Sequence, residues 1–159
     1  MSKEAAVSME EISTFVCTDK QRCNFSEGKM RGFERKKSIL VVDDSESIRE
    51  LLSVLLHEDG IVYTAVNGFD ALSKFAGHHF DIVVSDIEMP VMNGIDLYRN
   101  VPFVYRELFM FFSATMNEEH ISYMFLNNLI LFRKPDDIFR LQRAVQQKLN
   151  QSCPERAAN

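Results

Sequence analysis

The sequence predicts an α/β fold, a doubly wound five-stranded parallel sheet with helices on both faces. Two observations carry this expectation. From Ser38 onward, short apolar runs alternate with longer segments of helical periodicity, the order that β-α-β units produce. The run at 81–85, Asp-Ile-Val-Val-Ser, is apolar at successive rather than alternating positions, as a strand covered on both faces should be.

The first strand is expected at 39–42. Ser45 then caps a helix whose Ile48, Leu51, Leu52 and Leu55 make an apolar stripe, and Gly60 ends it. Residues 61–65 read as the second strand. Asn67-Gly68 turns the chain into a short helix through Ala71, Leu72 and Phe75, ahead of the third strand at 81–85. A third helix is expected at 95–100, interrupted by Pro102, and the run 109–112 gives the fourth strand. Asn117 caps a fourth helix reaching Phe125 or Leu126, and 129–133 forms the fifth strand. Asp136 caps the last helix, in which Ile138, Leu141, Val145 and Leu149 recur at helical spacing.

At 159 residues and 46% hydrophobic, the chain has apolar material for one core. Residues 1–37 read as a mostly irregular N-terminal extension, 38–149 as the folded domain and 150–159 as a tail. Within the extension, Ser8 and Glu11 have capping-box spacing ahead of Ile12, Phe15 and Val16, a short helix that would be marginal alone. A net charge of −5, from 18 Lys and Arg against 23 Asp and Glu, offers no general attraction to nucleic acid or an anionic membrane. Cys17, Cys23 and Cys153 are odd in number and imply no disulfide framework. No segment has the apolar length of a signal peptide or a membrane helix, so the expected location is the cytoplasm.

Chemistry concentrates where the apolar runs end. Asp43-Asp44 follows the first strand, Asp86 the third, Ser113-Ala114 the fourth and Lys134-Pro135 the fifth. Parallel strands bring their carboxyl ends to one edge, where open α/β sheets hold their ligands. Three carboxylates meeting there repel one another and hold protons more tightly unless a cation neutralises them. Magnesium, which prefers oxygen ligands and commonly takes one or two carboxylates plus a phosphate oxygen, suits such a set. His57, His78, His79 and His120 read as surface or half-buried residues without a role in this chemistry.

The pieces ILVVDD, DIVVSDIEMPVMNG, FFSA and FRKP together resemble the receiver domain of two-component response regulators, over residues 38–149. The resemblance implies the flavodoxin-like strand order 2-1-3-4-5. It implies that Asp86 is the phosphoacceptor, with Ser113 and Lys134 on the phosphoryl oxygens. Mg²⁺ would be held by Asp44 and Asp86 directly, by Asp43 through water and by the backbone carbonyl of Glu88. The donor would be a phosphohistidine on a histidine kinase or histidine phosphotransfer protein, and the signal would pass to a downstream protein target. Glu88 and Thr115 would set the lifetime of the phosphoryl group. The family usually has a cis peptide at the position of Lys134-Pro135. It also has an aromatic residue where Leu131 stands and a Gly-Ala pair at Asn127-Asn128, so the aromatic switch is missing here. No output domain follows the last helix, which points to a stand-alone receiver. It would not be an enzyme, beyond its own self-phosphorylation and autodephosphorylation. Two rival readings are a receiver-like adaptor that binds its partner without phosphorylation, and an aspartyl-phosphate phosphatase, which usually carries Asp-x-Asp rather than adjacent acids.

Overall fold

The computed structural model describes residues 35–114 and 117–151. Five strands, β1 (Ser38–Val42), β2 (Ile61–Ala65), β3 (Ile82–Ser85), β4 (Phe109–Ser113) and β5 (Ile130–Arg133), form one sheet in the order β2-β1-β3-β4-β5. Every neighbouring pair is parallel. This is the doubly wound order that the resemblance implies.

Side chains alternate across a strand, so each strand feeds two cores. Leu40, Val42, Val83, Phe109 and Phe111 face one side, where Ala71 of α2 (Gly68–Phe75), Leu97 of α3 (Gly94–Asn100) and Met124 of α5 (Glu118–Leu126) cover them. Ile39, Val41, Ile82, Val84, Met110 and Phe112 face the other. Leu52 and Leu56 of α1 (Glu46–Leu56) cover that side, with Leu141, Val145 and Leu149 of α6 (Ile138–Gln151). In β3 the side chains of Ile82, Val83 and Val84 are each at most 1% exposed, worth about 1.5–3 kcal/mol apiece in transfer free energy.

Asparagine starts three of the helices. The side chains of Asn67, Asn93 and Asn117 accept from the backbone N–H of Asp70, Asp96 and His120, satisfying donors that a helix start leaves open. Ser45 precedes α1 without a side-chain cap bond. α5 closes through Asn128, whose φ of 52° is left-handed, a conformation asparagine tolerates better than most residues.

Several local expectations need correction. Leu51 is 46% exposed, because the inward line of α1 runs through Leu52 and Leu56 one turn apart and leaves Leu51 on the flank. α1 ends at Leu56, before Gly60. Gly60 serves another contact: a Cβ there would stand 2.5 Å from the Lys37 carbonyl oxygen, where the chain enters β1. The last helix begins after Asp137 rather than Asp136, since Leu141 N–H bonds to the Asp137 carbonyl, while the Asp137 carboxylate accepts from Arg133 N–H. Beyond Pro102 a single-turn helix, α4 (Phe103–Arg106), precedes β4. Its Phe103 and Val104 are exposed, so no buried stripe announced it. The segment at 8–16, the three cysteines and Thr115 lie outside the described residues. Among the described residues, no helix is long and apolar enough to cross a membrane.

The loop after β3 departs most from what its residue types suggest. Its left-handed residue is Val91, at φ 71°, with Met92 N–H bonded to the Pro90 carbonyl, while Gly94 has no positive φ. Gly94 is needed for space: a Cβ would fall 1.9 Å from the Asp86 carbonyl oxygen and 2.9 Å from Ser85 Oγ. Gly94→Ala therefore forces the backbone apart just after Asp86. It is expected to lower the unfolding free energy by about 2 kcal/mol or more, measured as a lower urea midpoint at unchanged m-value.

Candidate functional site

The register of the sheet decides which residues meet. Val42 is level with Ser85, Ser85 with Phe111, and Ser113 with Arg133, so the residues that follow β1, β3 and β5 emerge at one edge. Asp86 N–H bonds to the Val42 carbonyl at 2.8 Å, and Asp43 N–H to the Ala65 carbonyl at 3.1 Å. Lys134 N–H bonds to the Ser113 carbonyl at 3.0 Å, continuing the β4–β5 ladder past its last pair. The four clusters expected at one edge are thus at one edge.

Asp43, Asp86 and Ser113 are buried, and Asp44 is exposed. One carboxylate oxygen from each of Asp43, Asp44 and Asp86 lies within 4.8 Å of the others. The Lys134 ammonium sits between two of them, 2.5 Å from Asp43 Oδ2 and 2.5 Å from Asp86 Oδ2. The remaining oxygens are held by backbone: Asp43 Oδ1 accepts from Ser45 N–H at 2.9 Å and Asp86 Oδ1 from Ile87 N–H at 2.6 Å. Each buried carboxylate is therefore fixed at both ends. Beneath them the Phe112 ring lies 5.7 Å from Lys134 Nζ. The Lys134-Pro135 peptide is cis, as the resemblance implies.

Burial pushes the Asp43 carboxyl above its ordinary value of 3.8, and the nearby Asp86 charge adds to the rise. The hydrogen bond and charge of Lys134 and the Ser45 N–H oppose it, yet burial wins. Three carboxylates against one ammonium leave excess negative charge at an all-oxygen site. That donor set fits a hard divalent cation such as Mg²⁺ and is a poor match for a metal that prefers nitrogen or sulfur.

Two features of the rim complete the geometry. Glu88, two residues beyond Asp86, is half exposed, and its Oε1 lies 3.2 Å from Nδ1 of His120 in the first turn of α5. Sequence reasoning read His120 as a surface or half-buried residue without a role, since no motif marks it; its placement follows from the Asn117 cap that starts α5. On β5, Leu131 packs half-buried against the cluster containing Phe111, while Phe132 is buried on the opposite face with Phe112. Phe132 therefore does not take over the position of the missing aromatic.

Comparison with known proteins agrees with this fold. The family model for the response regulator receiver domain matches residues 39–125. A protein-glutamate methylesterase/protein-glutamine glutaminase of Clostridium acetobutylicum is 30% identical over 115 residues, covering 68% of this chain and 33% of that protein. The structure of the BeF3-activated DrrB receiver domain has a TM-score of 0.64 at 25% identity, covering 72% of this chain and 98% of the other. The chemotaxis protein CheY4 of Vibrio cholerae, crystallised at low pH, gives 0.59 at 27% identity, covering 69% and 98%.

These relatives overturn one expectation, that of a protein that is not an enzyme. Curated relatives in Clostridium acetobutylicum, Nocardioides and Bacillus subtilis are named as methylesterases and glutaminases, and the chain spans a third or less of the length of each. The matched part is the receiver part, and motifs within it carry no information about what a longer relative catalyses. Sheet order, the carboxylate edge and the family match lead to one conclusion: this chain belongs to the response regulator receiver domain family of two-component signalling.

Proposed function

We propose that this chain is a phosphoacceptor in which Asp86 takes a phosphoryl group from a phosphohistidine on a histidine kinase or histidine phosphotransfer protein. The observation that carries the reading is the Lys134 ammonium, 2.5 Å from both Asp43 and Asp86, at the edge where Ser113 also ends its strand.

An Asp86 carboxylate oxygen attacks phosphorus as the bond from phosphorus to the donor nitrogen breaks. The electron pair leaves with the imidazole, and the product is an acyl phosphate. The transferring group is loose and its charge is spread over the oxygens, so the chain contributes position and positive charge rather than covalent help. The ammonium has three N–H donors, enough to keep Asp43 while turning one toward a phosphoryl oxygen. Ser113, buried at the end of β4, offers a hydroxyl donor from the adjoining strand. Asp43, Asp44 and Asp86, with the Glu88 backbone carbonyl, would hold Mg²⁺, which when bound supplies the remaining charge neutralisation. The phosphoryl group adds about −1.5 to −2 charge at neutral pH, which gives Lys134 and Ser113 a new partner and the downstream protein target a changed surface.

Incubation with a small phosphodonor and Mg²⁺ is expected to add one acid-labile phosphoryl group to the chain, read by intact mass. Asp86→Asn and excess chelator should each abolish the gain. Labelling that persists in Asp86→Asn would place the acceptor elsewhere.

Asp43 gives a separate test through its raised proton affinity. A raised folded-state value means the proton favours the fold: the contribution is complete below the ordinary value of 3.8 and is lost as pH rises through the folded value. In chelator, Asp43→Asn should therefore gain stability over wild type as pH climbs from 4 to 7, measured by urea unfolding. Added Mg²⁺ should reverse the order at pH 7. At about ten times its dissociation constant, the ion stabilises wild type by about 1.4 kcal/mol, and Asp43→Asn by less.

A further inference from the structure

We propose that His120 is a positioning residue that holds the Glu88 carboxylate toward α5 and so sets how fast Asp86 exchanges its phosphoryl group. The inference rests on the phosphoacceptor reading above and deepens it.

Glu88 follows Asp86 by two residues and is half exposed at the rim of the site. His120 is the more enclosed partner, with its side chain 19% exposed, and its Nδ1 is buried. That nitrogen lies 3.2 Å from Glu88 Oε1 but outside hydrogen-bond alignment, and no other hydrogen-bond partner reaches it among the described residues. A buried ring nitrogen without an aligned partner is costly, and the nearby carboxylate is the acceptor toward which it can relax. The Asn117 side chain fixes the ring's origin by bonding to His120 N–H at 2.7 Å. The anchored end of the pair is thus His120, and the movable end is Glu88.

This arrangement has an electrostatic consequence. Asp43, Asp44 and Asp86 exceed the single Lys134 ammonium in charge, and a bound divalent cation would only balance them, so a further carboxylate at the site is uncompensated in either case. An untethered Glu88 is free to swing toward Asp86 and add another negative charge on the path of an anionic phosphodonor. Held by His120, it stays on the α5 side. Repulsion between like charges a few ångströms apart near a protein surface is large enough to alter a rate by about threefold to tenfold, and salt weakens it.

The test measures initial rates of labelling by a small anionic phosphodonor in saturating Mg²⁺, on the full chain, at low and high ionic strength. His120→Ala is expected to slow labelling about fivefold at low salt and by less at high salt. His120→Gln keeps an N–H donor and should stay within about twofold of wild type. In a Glu88→Gln background, His120→Ala should have no further effect, because the charge that it releases is gone. Circular dichroism and the urea midpoint establish that each variant is folded. Equal rates for wild type and His120→Ala, or a His120→Ala defect that persists in Glu88→Gln or at high salt, would overturn the inference. If wild type takes no label, the phosphoacceptor reading falls and this inference falls with it; label without coupling removes the inference alone.

Discussion

The Lys134 ammonium lies between two carboxylates that the sheet forces together. Asp43 and Asp86 leave adjacent parallel strands level with one another, and backbone N–H groups fix the outer oxygen of each. Both carboxylates are little exposed, so their mutual repulsion is poorly screened and a cation between them is what opposes it. Lys134 comes from the far side of the sheet, 91 positions from Asp43, so its contacts tie the β5 end to the β1 and β3 ends. Burial raises the proton affinity of Asp43 even with that help, and the neighbouring Asp86 charge adds to the rise. An all-oxygen edge of this kind suits a hard divalent cation, which is why the proposed reading assigns one there.

Much of this was legible in the sequence because the signals were local and redundant. Five apolar runs marked the strands, four of them closed by residues suited to one chemistry, Asp43-Asp44, Asp86, Ser113 and Lys134, while the strand order came from the family resemblance. What escaped depends on contacts distant in sequence. Gly60 reads as a helix stop, yet it is small because Lys37 passes close by. Glycine is the usual residue for a left-handed turn, yet in this loop Val91 takes that conformation and Gly94 only clears the Asp86 carbonyl. Leu51 and Leu52 are equally apolar, and only the angle at which α1 meets the sheet buries Leu52. The His120–Glu88 contact joins the β3 loop to α5, 32 positions apart in number, and no spacing rule reaches across that distance.

The departures from the family pattern acquire a physical reading. Asn128 occupies the left-handed position that closes α5, a place where glycine is the easiest residue and asparagine the next. Leu131 keeps the packing of its strand face without offering a ring that could rotate, and Phe132 is committed to the other core. α5 buries only Met124 and is otherwise braced by Arg99, whose guanidinium lies 4.5 Å from the centre of the Tyr123 ring. The correction about enzymatic activity follows the same logic. The motifs lie within the receiver part, and the methylesterase and glutaminase names belong to longer relatives of which this chain matches that part.

The most direct measurement of the central claim is a double-mutant cycle between Lys134→Met and Asp86→Asn, followed by urea unfolding in chelator at pH 7. If the ammonium holds the carboxylates together, Lys134→Met destabilises the chain more when Asp86 is a carboxylate than when it is an amide. The expected coupling is about 1–3 kcal/mol. Losses that add to within about 0.5 kcal/mol would show that Lys134 and Asp86 do not depend on one another, and would contradict the account.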